Sequence, residues 1–298
     1  MPVSEAQNNH AVVHEFIAMN RRTFLSLSMA SCFSSTWAKA SSRQRLVRQQ
    51  LTMTNSSELA LNDATAWFYV PMRVAAGQRR TALDIHGMGF QLIDAGRGQS
   101  LVKIVLPELP AFSSKIIRVQ ATLSPYWNDT LLEPTLYLHG SRFIEVDDPT
   151  VQSLANMLRQ DSPLLTARAI YDWVSGNLSY AGFTADDFGA AYALRHRRGD
   201  CTEYAYLYTA LARGCQIPAR VMGGYVLNRD GLIRSAEYHN WSEVWIDEGW
   251  QVVDAQKQMF LPQSLEYIAY RELQSGVADG IDSVSKFWAS GGVKLTME

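Results

Sequence analysis

Hydrophobic positions change their period about halfway along the chain. From Ala66 to Val146 the apolar runs are short and rich in β-branched and aromatic residues. They are Trp67-Phe68-Tyr69-Val70, Leu101 to Leu106, Ile116 to Val119 and Thr135-Leu136-Tyr137-Leu138. Gly87, Gly89, Pro107, Pro110, Asn128-Asp129 and Gly140 separate them. Runs of this kind between turn residues predict a small antiparallel β-sandwich over 66–146. After Asp147-Asp148-Pro149 the spacing becomes helical, with Val151, Leu154, Ala155 and Leu158 on one stripe. Ser162-Pro163 supplies an N-cap followed by proline at the first helical position. The helix it starts carries Ile170, Trp173, Val174 and Asn177 on one side. A third helix begins at or near Cys201, with Tyr204, Leu207, Tyr208 and Leu211 as its apolar stripe and Gly214 at its end. Strands follow at Arg220 to Leu227, Asn240 to Ile246 and Trp250 to Asp254, the last two joined by Asp247-Glu248-Gly249. Helices first and strands afterwards predict an α+β domain over 147–298. Residues 41–65, polar and rich in Ser, Gln and Asn, read as a linker.

Composition narrows the function classes. A net charge of −2 gives no basic surface for nucleic acid, and no apolar stretch is long enough to span a membrane. Three cysteines are too few for a disulfide scaffold and lack the spacing of a zinc site. Residues 1–40 read as an export segment. Asn20-Arg21-Arg22-Thr23-Phe24-Leu25 resembles a twin-arginine signal, an apolar stretch runs to Trp37, and Ala38-Lys39-Ala40 offers a cleavage site. Residues 1–18 precede a second methionine, Met19, which is an alternative start. In a variant reading, Cys32 is a lipoprotein attachment point. The expected location is therefore outside the cytoplasm, in the periplasm.

The candidate chemistry lies in Cys201, His239 and Asp254, a thiol, an imidazole and a carboxylate in that order. Together they are the parts of an activated sulfur nucleophile. At a helix N-terminus the unpaired N–H groups and the macrodipole favour a thiolate, so a lowered pKa is expected for Cys201. Its own N–H would form half of an oxyanion hole. Cys215 lies at the other end of that helix, about 21 Å away, and reads as a buried structural thiol. On the strand after Tyr238, His239 shares a face with Trp241, Glu243 and Trp245. A three-residue turn would set Ile246 opposite Trp250 and bring Asp254 near Ser242, leaving strand twist or a bulge to close the gap to His239. His196, within Arg195-His196-Arg197-Arg198, is a rival base in a solvated loop. The acidic pairs Asp147-Asp148 and Asp186-Asp187 lack the spacing of a calcium loop. Neither metal nor cofactor is expected.

These residues sit in a longer pattern that resembles the transglutaminase-like core superfamily. Its motifs stand here as Gly199-Asp200-Cys201, Gln216-Ile217-Pro218-Ala219-Arg220, His239-Asn240-Trp241 and Trp250 to Asp254, within residues 147 to 260. Two positions depart from it: Gln216 replaces a glycine and Ala255 a proline. For the domain after the sandwich, the resemblance implies a papain-type fold, a Cys-His-Asp triad, and a thioester formed on Cys201 from a protein or peptide substrate. Water as acceptor would make the chain a cysteine peptidase or amidase, the reading favoured here. A lysine amine would make it a crosslinking transglutaminase. The non-catalytic alternative is an envelope binding protein that keeps the fold. Trp241, Trp245, Tyr238 and Tyr225 are expected mainly in the core, Arg220 in a structural role, and Tyr180 is a candidate second oxyanion donor.

Overall fold

Strand β1 (Arg45–Thr54) buries Val47, Gln49, Leu51 and Met53 and turns the residues between them outward. This computed structural model describes residues 44–126, 133–273 and 286–298, which all fall in one unit. The export segment 1–40, with Met19 and Cys32, lies outside the described residues. After β1 come β2 (Leu61–Val70), β3 (Val74–Ala75), β4 (Gly77–His86), β5 (Gln91–Asp94), β6 (Ser100–Leu109) and β7 (Ser114–Tyr126). They build two sheets. In one, β7 lies between β1 and β4; in the other, β6 lies between β2 and β5. Leu51, Met53, Ile117 and Val119 from the first sheet share a core with Phe68, Val102 and Ile104 from the second. Facing sheets around one apolar layer are the sandwich that the sequence predicts.

The helical part starts with α1 (Pro149–Leu158), α2 (Pro163–Asn177), β8 (Ser179–Tyr180), α3 (Ala190–His196), β9 (Arg198–Gly199) and α4 (Cys201–Gly214). Asp148 caps α1 by accepting from the Thr150 and Val151 N–H groups, and Ser162 Oγ accepts from the Leu165 N–H of α2. Each cap contributes about 1 kcal/mol. Every residue of α4 from Thr202 to Arg213 is buried. A helix buried all round is the hub of its domain, with α1, α2 and α3 on one side and a sheet on the other.

That sheet is antiparallel, in the order β14-β13-β12-β10-β15. Its strands are β10 (Ala219–Val226), β12 (Tyr238–Ile246), β13 (Gly249–Asp254), β14 (Met259–Phe260) and β15 (Tyr267–Glu272). Arg220 on β10 and Glu243 on β12 are direct cross-strand partners. The guanidinium reaches Glu243 Oε2 at 2.8 and 2.6 Å and lies 4.1 Å from the Trp250 ring centroid. Removing one member of such a buried pair costs about 3–5 kcal/mol. Arg220 is therefore structural, as expected.

Four expectations from the sequence are corrected. Residues 45–54 and 61–65, read as linker, are strand; polar side chains at the outward positions hide the alternation. Thr135 to Leu138, read as strand, falls largely in a 3-10 turn, Pro134–Tyr137. The segment around His196 is not a plain loop, because a short helix ends there. Residue 147 is also no clean domain boundary. β11 (Gly231–Leu232) and β17 (Lys294–Met297) pair with β1, and β16 (Phe287–Ser290) pairs with β2, so the C-terminal part completes both sheets of the sandwich.

Gln216 adopts φ +65°, the left-handed region, directly after α4. A side chain there is strained by roughly 1 kcal/mol, which explains the glycine preference of the motif. Gln216→Gly is expected to leave stability unchanged or raise it by up to about 1 kcal/mol in denaturant unfolding. A loss above that size would contradict the strain.

Candidate active site

The nucleophile end is built by backbone constraints. β8 and β9 form a short parallel pair that sets Tyr180 beside Gly199. A Cβ on Gly199 would meet Glu203 Cβ at 2.3 Å, so only glycine lets the chain pass this close. Asp200 is the N-cap of α4: its Oδ1 accepts from the Thr202 N–H at 2.7 Å, while Glu203 Oε2 accepts from the Asp200 N–H at 3.1 Å. This capping box fixes Cys201 at the first helical position. The Asn240 N–H and the Thr202 hydroxyl favour a thiolate at Cys201. Even so, burial, with the Asp200 carboxylate next in weight, pushes the thiol up to about 11. The direction is thus opposite to the lowering expected from the helix end, because burial disfavours the thiolate and the capping carboxylate adds to that. Glu203, behind the cap, is pushed up to about 7, chiefly by burial.

The candidate base, His239, arrives on β12. Asp247 and Glu248 both have positive φ, 53° and 62°, as a two-residue hairpin turn with right-handed twist requires. Ile246 therefore pairs with Gly249, Trp245 with Trp250 and Ser242 with Val253. This is one residue tighter than the sequence reading. A one-residue shift moves every side chain to the other face, so Asp254 lands on the face of Trp241 and His239 without any bulge. His239 Nε2 lies 2.6 Å from Asp254 Oδ2. The same oxygen accepts from the Tyr267 hydroxyl at 2.9 Å, and Oδ1 accepts from the Lys257 N–H at 2.9 Å. The carboxylate thus holds Nε2 and leaves Nδ1 as the nitrogen available for proton transfer. Ser242 Oγ donates to the Ala205 carbonyl at 3.0 Å and Asn240 Nδ2 to Thr202 Oγ1 at 2.9 Å. These bonds dock β12 on α4 and bring the His239 end of the strand to the Cys201 end of the helix.

Cys201 and His239 line one cleft of about 770 Å³, together with Tyr180, Phe183, Tyr238 and Lys286. Cys201 is half-buried. A second cleft of about 860 Å³, around Asp147 and Asp148, contains neither group. The other candidates lie elsewhere. Cys215 is buried at the far end of α4, its thiol donating to the Ala155 carbonyl. His196 is exposed, its ring 4.3 Å from that of Tyr192. Trp241 and Tyr225 are core residues, Trp245 packs against the core, and Tyr238 alone of that aromatic set lines the cleft. Asp187 accepts from the Tyr206 hydroxyl at 3.0 Å. Among the described residues, no group of three or more His, Cys, Asp or Glu is placed to hold a metal ion. Sequence reasoning missed Tyr267 and Lys286. Tyr267 arrives on β15 and Lys286 just before β16, and the pairing of these late strands has no short-range turn signal.

Residues 152–255 match the family described as the transglutaminase-like superfamily. The same fold occurs in the solved structure of a proposed cysteine protease from Cytophaga hutchinsonii. It is 18% identical, with a TM-score of 0.56, over 86% of this chain and 91% of that one. The periplasmic domain of TgpA from Pseudomonas aeruginosa is also similar: 18% identical, TM-score 0.41, over 73% of this chain and 91% of that one. Red sea bream transglutaminase is 13% identical, TM-score 0.28, over 70% and 48%. No curated protein matches the chain.

With the thiol pushed up to about 11, the sulfur rests protonated at neutral pH. Its alkylation by iodoacetamide is expected to keep rising from pH 7 toward that value, since only the thiolate reacts. A rate already level between pH 6 and 9 would instead show a preformed thiolate–imidazolium pair. Tyr267→Phe removes one donor to Asp254 while keeping the ring packed edge-on against Trp241, 5.2 Å away. It is expected to cost about 1 kcal/mol of unfolding free energy, and no measurable cost would contradict the bond.

Proposed function

We propose that this chain is an exported thiol amide hydrolase, a cysteine peptidase or amidase. The observation that carries the reading is the 2.6 Å His239–Asp254 bond beside a helix-start cysteine in the same cleft. In the proposed cycle, the Cys201 proton passes to His239 Nδ1 as sulfur attacks the amide carbonyl carbon. The tetrahedral oxyanion takes a hydrogen bond from the Cys201 N–H, which has no helical partner at this position. Tyr180, half-exposed on the cleft beside Gly199, is the proposed second donor. His239 then returns the proton to the leaving amine, and the C–N bond breaks to leave a thioester. Water, deprotonated by His239, attacks that carbon; the acid leaves and the thiol is restored. Asp254 stabilises the imidazolium throughout and takes no proton. The resting thiol makes His239 a general base rather than half of a standing ion pair.

The name of the Cytophaga neighbour, a proposed cysteine protease, points the same way, although the likeness itself speaks only for the fold. Export is supported by Arg21-Arg22 and the Ala38-Lys39-Ala40 site. The second reading is amine transfer, since the thioester is common to both reactions. Incubating the protein with casein and a biotinylated pentylamine, followed by mass spectrometry, separates them. Hydrolysis predicts new peptide termini and no added amine, all lost in Cys201→Ala. Amine on glutamine without cleavage would establish the transferase, and neither product would favour a binding protein.

A further inference from the structure

Among the described residues, Lys286 is the half-buried lysine of the cleft, and no ion pair holds its charge. It precedes β16, which is anchored on the sandwich where Trp288 stacks on Trp67 with ring centroids 4.9 Å apart. From there its Nζ lies 4.3 Å from the Tyr238 ring centroid and donates to the Ser235 carbonyl at 3.3 Å. Tyr238 and Lys286 line the same cleft as Cys201 and His239. Among the described residues the ammonium has no ion-pair partner, although three carboxylates line the same cleft. Asp200 is held by the Thr202 and Thr184 N–H groups, Asp187 by the Tyr206 hydroxyl, and Glu237 by the Arg234 N–H. Lys257, the other lysine on the cleft, is exposed.

A half-buried ammonium with one neutral acceptor and a ring below it still has donors to offer. Two negative charges could come to it, the Cys201 thiolate or an anion on the substrate. Burial pushes the Cys201 thiol up to about 11, so at rest the sulfur brings no charge. We propose that Lys286 is the anion receptor of the cleft and selects peptides with a carboxylate next to the scissile amide. This rests on the cysteine-hydrolase reading above and names its substrate class. Burial pulls the Lys286 pKa below its usual value, while negative charge at Cys201 works the other way. An incoming carboxylate therefore meets a cation that water has only partly screened.

Two alkylating reagents of equal size test this, because iodoacetate carries a carboxylate and iodoacetamide does not. The ratio of their rates at Cys201, read by peptide mass spectrometry, cancels the intrinsic reactivity of the sulfur. Lys286→Gln is expected to lower the iodoacetate-to-iodoacetamide ratio by roughly three- to tenfold, the reach of one partly screened charge. Lys286→Arg should keep the ratio, as should Lys294→Gln on exposed β17, a control for net charge. An unchanged ratio in Lys286→Gln overturns the proposal. So does an equal slowing of both reagents, which would place the lysine's effect on the sulfur. If neither reagent labels Cys201 in the wild-type protein, the nucleophile reading fails by itself. Calorimetry of succinate with Cys201→Ala then decides the receptor: binding lost on adding Lys286→Gln supports it, and no binding overturns it. Peptide pairs differing by a C-terminal acid or amide, and by Asp or Asn, distinguish a terminal from a side-chain carboxylate. Indifference to both changes overturns the selection.

Discussion

The pairing of Ser242 with Val253 fixes the candidate site. It follows from a two-residue turn in which Asp247 and Glu248 both take positive φ. With that register Asp254 faces His239; one residue further along, it would face the opposite side of the sheet. The constraint is backbone geometry far from the cleft, and the carboxylate–imidazole contact is its consequence. Tyr267 and the Lys257 N–H then hold the carboxylate in place, so the imidazole is oriented by a group that is itself oriented.

The second half of the site depends on α4. The Asp200–Glu203 capping box defines where the helix starts, and Gly199 allows the approach that the box needs. The same cap carries an electrostatic cost. Burial raises the pKa of the sulfur, and the carboxylate that satisfies the helix N-terminus sits beside it and adds to the rise. The fold thus fixes the sulfur at the helix start in surroundings that favour the thiol, and the proposed mechanism leaves its activation to His239. Small polar residues, Thr209 and Ser242, let the strand lie close on the helix and join it by a shared hydrogen bond of 3.1 Å.

Much of this was legible in the chain. Alternation and turn residues give the sandwich, helical periodicity gives α1, α2 and α4, and the Gly-Asp-Cys and His-Asn-Trp motifs point to the candidate site. The misses have physical causes. β1 carries Arg, Gln and Thr on its outer face and buries Gln49, so its composition resembles a linker. The hairpin register turned on whether Gly249 belonged to the turn or to the strand, which residue identity alone leaves open. Tyr267 and Lys286 reach the site through pairings between segments tens of residues apart. Such contacts are set by the packing of the whole domain and leave no local pattern. The thiol's environment was misjudged for a related reason: helix-end position is readable, but burial is not.

The central claim is that Cys201, His239 and Asp254 form one acyl-transfer unit. Intact-mass analysis during reaction with p-nitrophenyl acetate tests it directly. The account predicts a burst of one acetyl group per chain, mapped to Cys201, sharply slowed in His239→Ala and Asp254→Asn. No acetylation of Cys201, or labelling of Cys215 at the same rate, would contradict it.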